Sequence, residues 1–289
     1  MRDKVAKAQE LLEEHKLDAF LFTSPANVFY LSGFRSSNAY VVVGRESYYL
    51  LTDGRYFEKA KKQLRGWRLF LLEGNGLSKV YGLLKSMGVS LVGFEEDRVS
   101  CELRKRLRGG FRWVGRSGFL RRMRAIKDPE ELRIIQEGVR LSDGVYRGLL
   151  GKIREGLTEL EVRSMIVEEF LRLGSLGESF PAIVASGSAS AVPHWEASKR
   201  AIRHREPLLI DMGLLWQGYC TDFTRTIYIG RASAEFKKVY QIVKDAHLFA
   251  LEGVRVGRKI GDIDNIAREY IRKKGFGKFF IHSTGHGVG

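Results

Sequence analysis

The fold of this chain is predicted from one stretch, Leu208-Leu-Ile-Asp-Met-Gly-Leu-Leu-Trp-Gln-Gly-Tyr-Cys-Thr-Asp-Phe-Thr-Arg-Thr-Ile-Tyr-Ile229. Its β-branched and aromatic residues are typical of strands, and its single break near Trp216-Gln217-Gly218 indicates a tight turn. We therefore predict two antiparallel strands that form a hairpin. This hairpin carries two acids, Asp211 and Asp222.

Either of two registers places both acids on one face of the hairpin. If the turn is centred on Trp216-Gln217, Asp211 faces Asp222 directly. If it is centred on Gln217-Gly218, Asp222 faces Gly213 and lies diagonal to Asp211. Two close carboxylates in an apolar sheet repel each other unless a cation or a shared proton offsets their charge. Metal binding is therefore the first hypothesis, and solvent-facing aspartates at strand ends are the alternative.

Length and composition describe an ordinary globular protein. The chain has 289 residues, of which 44% are hydrophobic and 29% charged, so about two domains are expected. No apolar run approaches the roughly 18 residues of a membrane span, and the start Met1-Arg-Asp-Lys lacks the apolar core of a signal peptide. Its two cysteines lack C-x-x-C spacing, which argues against a disulfide framework. We expect a cytoplasmic protein with no membrane partner.

The net charge of +15 raises the question of nucleic acid as a partner. The basic residues are spread through the chain, with one local cluster at residues 121–127, and no helix-turn-helix, zinc-finger or aromatic RNA-binding signature accompanies them. A solvated basic surface is the favoured interpretation, and nucleic acid is not the expected partner.

The order of predicted elements indicates two domains. Short apolar strands alternate with amphipathic helices up to residue 122, which predicts an α/β layer domain over residues 1–122. The second domain is predicted over residues 123–289. Its first long helix begins at Asp128-Pro129-Glu130-Glu131, where Asp caps the helix and Pro occupies its first position. The segment Thr158-Glu-Leu-Glu161 is a capping box that opens the next helix.

Two histidines stand in contexts that suit a ligand site. His194 ends the stretch Phe180-Pro-Ala-Ile-Val-Ala-Ser-Gly-Ser-Ala-Ser-Ala-Val-Pro-His194, whose small residues let the backbone approach a ligand closely. His286 stands between two glycines, which suits an imidazole that must meet a ligand. Neither histidine by itself identifies a function.

Taken in order, four motifs identify a family. The series F-P-x-I-V-A-S-G-x-x-x-x-x-P-H, I-D-M-G, T-D-F-T-R-T and H-S-x-G-H-G-V-G resembles the creatinase/aminopeptidase P/prolidase family of pita-bread metallopeptidases, and Xaa-Pro dipeptidases most closely. Residues 1 to about 120 resemble the family's creatinase-type N-terminal domain, and Tyr30-Leu-Ser-Gly-Phe34 fits its pattern. The resemblance therefore implies an α/β N-terminal creatinase-like domain followed by an α+β pita-bread catalytic domain.

The resemblance also implies a site. Asp211 would be a bidentate ligand of one metal ion, Asp222 a carboxylate that bridges two, and His286 the imidazole ligand of the second. His194 and His282 would be the catalytic residues that line the substrate site, where they orient the scissile amide and stabilise charge on its carbonyl oxygen.

Thr224 follows Asp222 by two residues on the same strand, and we expect its hydroxyl to donate a hydrogen bond to the Asp222 carboxylate. Oxygen-rich ligation with one imidazole suits two divalent ions of Mn, Co or Fe better than Zn. Two such ions can hold a bridging hydroxide that attacks the amide carbon, so no protein nucleophile is needed. The expected function is metal-dependent hydrolysis of the Xaa-Pro bond in dipeptides or short peptides, by a dipeptidase or an aminopeptidase that forms a homodimer.

The family pattern continues beyond the G-H-G motif with a further His and two Glu, whereas this sequence stops at Gly289 in what reads as a strand. We therefore expect a pita-bread domain that is incomplete at its C-terminus, lacks two Glu ligands, binds metal weakly and has little or no peptidase activity. The alternative function is a catalytically silent pita-bread module used for binding, with nucleic acid as a candidate ligand because of the charge.

Overall fold

The computed structural model describes residues 2–74 and 76–289. The chain divides into two compact units, Met1–Lys127 and Asp128–Gly289. This boundary lies five residues after the one expected from the sequence. The difference is residues 123–127, which include the end of a short helix over Arg121–Ala125. This segment belongs to the first unit because Arg124 Nη1 donates to Asn27 Oδ1 at 3.1 Å and Met123 packs against the core of that unit.

Helices and strands alternate along the first unit. In chain order they are α1 Arg2–Glu14, β1 Ala19–Phe22, α2 Pro25–Ser32, β2 Ala39–Gly44, β3 Tyr48–Thr52, α3 Gly54–Gln63, β4 Arg68–Leu71, α4 Leu77–Ser86, β5 Leu91–Glu95, α5 Cys101–Arg106, β6 Arg112–Arg116 and α6 Arg121–Ala125. The strands form a mixed six-stranded sheet in the order β4-β3-β2-β1-β5-β6.

The central strand β1 explains why this sheet is covered on both faces. Its four residues are all buried, and alternate side chains enter different apolar clusters. Phe20 and Phe22 pack into the cluster that includes α1, whereas Ala19 and Leu21 pack into the cluster that includes α4. A strand that is apolar on both faces in this way has to be buried between two layers of helices.

The second unit begins with two helices and continues with a small sheet and two more helices. The elements are α7 Pro129–Leu150, α8 Glu159–Arg172, β7 Ile183–Ser186, β8 Glu206–Met212, β9 Leu215–Trp216, β10 Tyr219–Cys220, β11 Phe223–Ile229, α9 Ala234–Gly253 and α10 Ile260–Lys273. Short 3₁₀ turns lie at Gly187–Ala191 and Gly277–Phe279. The three longer strands form an antiparallel sheet in the order β11-β8-β7.

Strand β8 separates the core from the candidate site. Leu208, Ile210 and Met212 are fully buried and pack with α7 and α8 in one cluster. Because side chains alternate along a strand, Asp211 faces the opposite side of the sheet. The alternation of apolar residues along β8 therefore leaves the face opposite the core for polar side chains such as Asp211.

The hairpin has the second of the two registers that the sequence allows. Asp211 pairs with Thr224 in the β8–β11 ladder, and Trp216 pairs with Tyr219 next to the turn. Gln217 and Gly218 occupy the turn with φ of 47° and 93°. Two consecutive positive φ angles are characteristic of the type I′ turn that matches the twist of a two-residue hairpin.

The last elements form a separate layer. Helices α9 and α10 pack together through a small cluster of buried residues that includes Ile242, Ala246 and Ile271. The strand expected for the last residues of the chain is not formed, because residues 280–289 follow an irregular path. In the described part of the chain, none of the helices has the length and apolar character needed to cross a membrane.

Candidate metal centre

The Asp211 side chain is hydrogen-bonded by a residue of the neighbouring strand β11. It is half-buried on β8, and Thr224 Oγ1 donates a hydrogen bond to its Oδ1 at 2.6 Å. We predicted this hydrogen bond for Asp222, but Thr224 donates it to Asp211 instead. The observed register explains the difference, since Thr224 stands directly opposite Asp211.

Asp222 lies in the two-residue link between β10 and β11 and contacts the C-terminal segment. Its Oδ2 is 3.1 Å from His286 Nε2, and the side chains are 33% and 71% exposed. His286 Nδ1 lies 3.0 Å from the Gly287 carbonyl oxygen, which can only accept a hydrogen bond. This carbonyl therefore favours the proton on Nδ1. Nε2 is then the nitrogen that would bind a metal ion together with the Asp222 carboxylate.

Burial and several neighbouring groups change the pKa of Asp211. Burial raises the pKa of Asp211 most, and the negative charge of Asp222 raises it further. The hydrogen bond from Thr224 and the charges of His194 and His286 lower this pKa, but they do not offset the increase. A nearby cation would stabilise the charged form of an aspartate whose pKa is raised in this way by burial and by a second carboxylate.

The two other candidate residues lie on exposed segments. His194 follows the 3₁₀ turn Gly187–Ala191 and is near enough to Asp211 for its charge to act on that carboxyl group. His282 Nδ1 lies 3.0 Å from the carbonyl oxygen of Ser283, and its backbone carbonyl accepts from Arg268 Nη2 at 2.8 Å. The structure thus brings His194, Asp211, Asp222 and His286 within electrostatic reach of one another, while His282 contacts Ser283 and Arg268.

Helix α7 sets the position of the hairpin. Ser142 on this helix hydrogen-bonds Thr221 through the two hydroxyl groups at 2.9 Å, and both residues are buried. Tyr219 donates its hydroxyl to Glu131 at 2.8 Å. Thr221 directly precedes Asp222, so these buried contacts hold one end of the acidic link in place.

Gly213 allows Ser179 and the backbone of Thr221 to lie very close to the end of β8. A Cβ atom at this position would lie 1.9 Å from Ser179 Oγ and 2.2 Å from the carbonyl oxygen of Thr221. Both contacts are far shorter than any Cβ contact allows, so no other residue fits without a shift of the backbone. The glycine of the I-D-M-G motif is therefore required by packing at the end of β8.

The donor set of the site is suited to a hard divalent cation. Two carboxylates and one imidazole on Asp211, Asp222 and His286 match ions such as Mn or Co better than a thiolate-seeking ion. Across residues 2–74 and 76–289, no three His, Cys, Asp or Glu side chains are already gathered closely enough to hold a metal ion. The residue types fit a cation, and binding would bring these side chains closer together.

Sequence reasoning missed the side chains that support these residues. Glu159 is completely buried and hydrogen-bonds the segment that carries His194. Asp264 and Arg268 on α10 hydrogen-bond the segment that carries His282. The capping-box motif located Glu159 at a helix start, but no local pattern relates it to residues about 30 positions further along the chain.

Comparison with known proteins places the chain in a family. Residues 133–289 match the model of metallopeptidase family M24, and residues 4–126 match the creatinase/prolidase N-terminal domain. The chain therefore belongs to metallopeptidase family M24 and carries a creatinase-type N-terminal domain. Both the family and the fold class predicted from the sequence are confirmed. Members of this family are hydrolases that use divalent metal ions.

Individual relatives are similar over the whole chain. The Xaa-Pro dipeptidase of Pyrococcus horikoshii is 32% identical, and the match covers 100% of this chain and 82% of the relative. The solved structure of a Bacillus anthracis Xaa-Pro dipeptidase matches with a TM-score of 0.95 and 31% identity, over 100% of this chain and 82% of that one. An X-Pro aminopeptidase from Thermotoga maritima matches with a TM-score of 0.91 and 32% identity, over 98% and 81%.

Proposed function

We propose that this protein hydrolyses the Xaa-Pro bond of dipeptides or short peptides with two divalent metal ions, of Mn, Co or Fe rather than Zn. The observation that carries the proposal is the grouping of Asp211, Asp222 and His286 at one face of the hairpin in a chain of metallopeptidase family M24. The matched dipeptidases and aminopeptidase are named for cleavage at proline, which supplies the substrate class.

Each residue has a separate role in this proposal. Asp211 and His286 would each hold one ion, and Asp222 would bridge both. Such ions supply Lewis acidity, which polarises the scissile carbonyl and lowers the pKa of a water molecule. Thr224 fixes the orientation of the Asp211 carboxylate through its hydrogen bond.

The two remaining histidines act on the substrate. His194 and His282 would orient the scissile amide and donate to its carbonyl oxygen as charge develops there. His194 is exposed next to the acidic face, so it is accessible to a peptide that lies over Asp211. The proline ring removes the amide hydrogen at the scissile bond, so a site for Xaa-Pro need not satisfy a donor there.

The test is hydrolysis of Ala-Pro after removal of metal with EDTA and addition of Mn²⁺, Co²⁺ or Zn²⁺. Because no metal-ready cluster exists in the described residues, we expect turnover to be slow and to need excess metal. The expected result is Mn²⁺- or Co²⁺-dependent cleavage of Ala-Pro but not of Ala-Ala, and its loss in Asp222→Asn. Cleavage that resists EDTA, or cleavage of Ala-Pro that is unchanged in Asp222→Asn, would refute the proposal.

Two finer points belong to the same proposal. Comparison of Ala-Pro with Ala-Pro-Ala distinguishes a dipeptidase from an aminopeptidase, since only the latter accepts the longer peptide. We also propose that the protein forms a homodimer, as its family resemblance implies. Light scattering should then give twice the 32.9 kDa mass of the chain. Salt-sensitive DNA or RNA binding without any hydrolysis would instead support the binding-module alternative.

A further inference from the structure

A buried carboxylate lies under the segment that carries His194. Glu159 is the first residue of α8, and its exposed fraction is 0%. Its Oε1 accepts from the backbone N–H of Ser186 at 2.8 Å and from the Ser186 hydroxyl at 2.6 Å. Its Oε2 accepts from Trp195 Nε1 at 2.9 Å, and from the backbone N–H and hydroxyl of Ser198 at 3.1 and 2.8 Å.

The residues that donate to Glu159 lie at both ends of one segment of the chain and next to His194. Ser186 is the last residue of β7, and Ser198 lies twelve residues later, so Glu159 ties both ends of the intervening segment to one point. We name residues 186–198 the His194 loop. The third donor residue, Trp195, directly follows His194. One carboxylate therefore fixes the start of the loop, its end and the neighbour of the candidate catalytic residue.

The hydrogen bonds to Glu159 stabilise the charged form of its carboxylate. Burial raises the pKa of Glu159, but the hydrogen bonds from Ser186, Trp195 and Ser198 outweigh it and hold this pKa below the ordinary value of a glutamate. Ser186 Oγ also accepts from Arg200 Nη1, whose guanidinium makes a bidentate pair with Glu206. Burying a carboxylate is costly unless it is fully hydrogen-bonded, and here five donors satisfy it.

Helix capping does not explain this arrangement. The cap of α8 is made by Thr158 and Glu161, which exchange hydrogen bonds between their side chains and backbone amides. The fold of the region also has backbone support, since Leu160 N–H donates to Ser198 O and Glu159 N–H donates to Arg200 O. The side chain of Glu159 is thus available for a role other than starting the helix.

We propose that Glu159 is a positioning residue that holds the His194 loop, and with it His194, in place beside Asp211. The proposal rests on the proposed function for the role of His194 towards a peptide. The position of the loop itself can be measured without turnover.

The test variant is Glu159→Gln, which keeps the volume and removes one acceptor oxygen. Hydroxyl groups can turn to accept, but the N–H groups of Ser186, Trp195 and Ser198 cannot. Whichever end the new amide nitrogen takes, it therefore faces at least one N–H donor. The matched control is Glu161→Gln, which alters the exposed capping glutamate of the same helix and does not touch the loop.

Hydrogen exchange and fluorescence report on the loop directly. In Glu159→Gln we expect amide exchange across the loop to accelerate about tenfold, because hydrogen bonds to a charged group are lost. We also expect a shift of the Trp195 emission, isolated by subtracting spectra of Trp195→Phe variants. Glu161→Gln should leave both unchanged. Unchanged loop exchange and Trp195 emission in a folded Glu159→Gln protein would overturn the proposal.

A double-mutant cycle links the loop to hydrolysis. In the Mn²⁺-loaded protein, kcat/KM for Ala-Pro should fall in Glu159→Gln and in His194→Ala, and the double variant should be no slower than His194→Ala within about twofold. Fully additive losses would show that Glu159 does not act through His194. Ala-Pro cleavage that resists EDTA would refute the proposed function, whereas exchange and fluorescence would still decide the positioning of the loop.

Discussion

Thr224 Oγ1 lies 2.6 Å from Asp211 Oδ1, directly opposite it across the β8–β11 ladder. This hydrogen bond satisfies one carboxylate oxygen of Asp211 from within the same sheet. It also lowers the pKa of Asp211, against the effects of burial and of the nearby Asp222 charge. An aspartate oriented in this way keeps its other oxygen available for a cation.

Thr224→Val should weaken metal binding with little effect on folding. Valine keeps the shape and strand preference of threonine but cannot orient the Asp211 carboxylate. We expect the affinity for Mn²⁺, measured by calorimetry, to fall about 10–100-fold. The control is Thr226→Val, two residues further along β11 and opposite Leu209, which should bind Mn²⁺ like the parent. Equal affinities in the two variants would contradict the role of Thr224.

Gly213→Ala should destabilise the second unit. The added methyl would overlap Ser179 Oγ and the carbonyl oxygen of Thr221, so the backbone behind Asp211 has to move. We expect the free energy of unfolding in urea to fall by about 1–3 kcal/mol.

A second glycine provides the matched comparison. Gly148 lies on α7, and a Cβ there would meet no atom within 4 Å. Gly148→Ala should therefore be neutral or stabilise the protein by about 0.4–1 kcal/mol, since alanine restricts the unfolded chain. Similar destabilisation by both substitutions would show that packing at Gly213 is not the cause.

Asp264→Asn should change the pH dependence of stability. Hydrogen bonding by Arg268 is the main cause that lowers the pKa of Asp264 to about 2, and the Thr284 N–H also contributes. Because the folded pKa is below the ordinary value of an aspartate, the stabilisation is present above about pH 4 and is lost as the pH falls towards 2. The parent should therefore exceed Asp264→Asn in unfolding free energy at pH 6, and the difference should shrink below pH 3.

Asp262→Asn is the control for this titration. Asp262 is exposed in the first turn of the same helix, so its substitution should give only a small difference in unfolding free energy from the parent. A difference between the parent and Asp264→Asn that stays constant from pH 6 to pH 2.5 would argue against the ion pair as its source.

Much of the fold was predictable because local signals agreed with the tertiary structure. The helix start predicted at Asp128-Pro129 and the capping box predicted at Thr158–Glu161 are both present in the structure. The terminal residues were not predictable in this way. They read as a strand from their apolar residues, but a strand forms only where a partner strand supplies hydrogen bonds.

The sequence proposes a set of residues for the candidate site, but it does not determine their contacts. The spacing of Asp211 and Asp222 left two hairpin registers open, and only the turn at Gln217-Gly218 distinguishes them. The hydrogen-bond partner predicted for Thr224 was wrong for the same reason. A change of register changes every cross-strand pair, and the observed register places Thr224 opposite Asp211. Glu159 could not be found, since its donors are brought to it by tertiary structure alone.

The most direct test of the central claim is a crystal of the protein soaked in Mn²⁺ and measured at the manganese absorption edge. We predict two anomalous peaks beside Asp222, one also in contact with Asp211 and the other with His286. The same soak of Asp222→Asn should lose both peaks. A map of the parent with no peak at Asp211 and Asp222, or with peaks that persist unchanged in Asp222→Asn, would contradict the assignment of these residues as metal ligands.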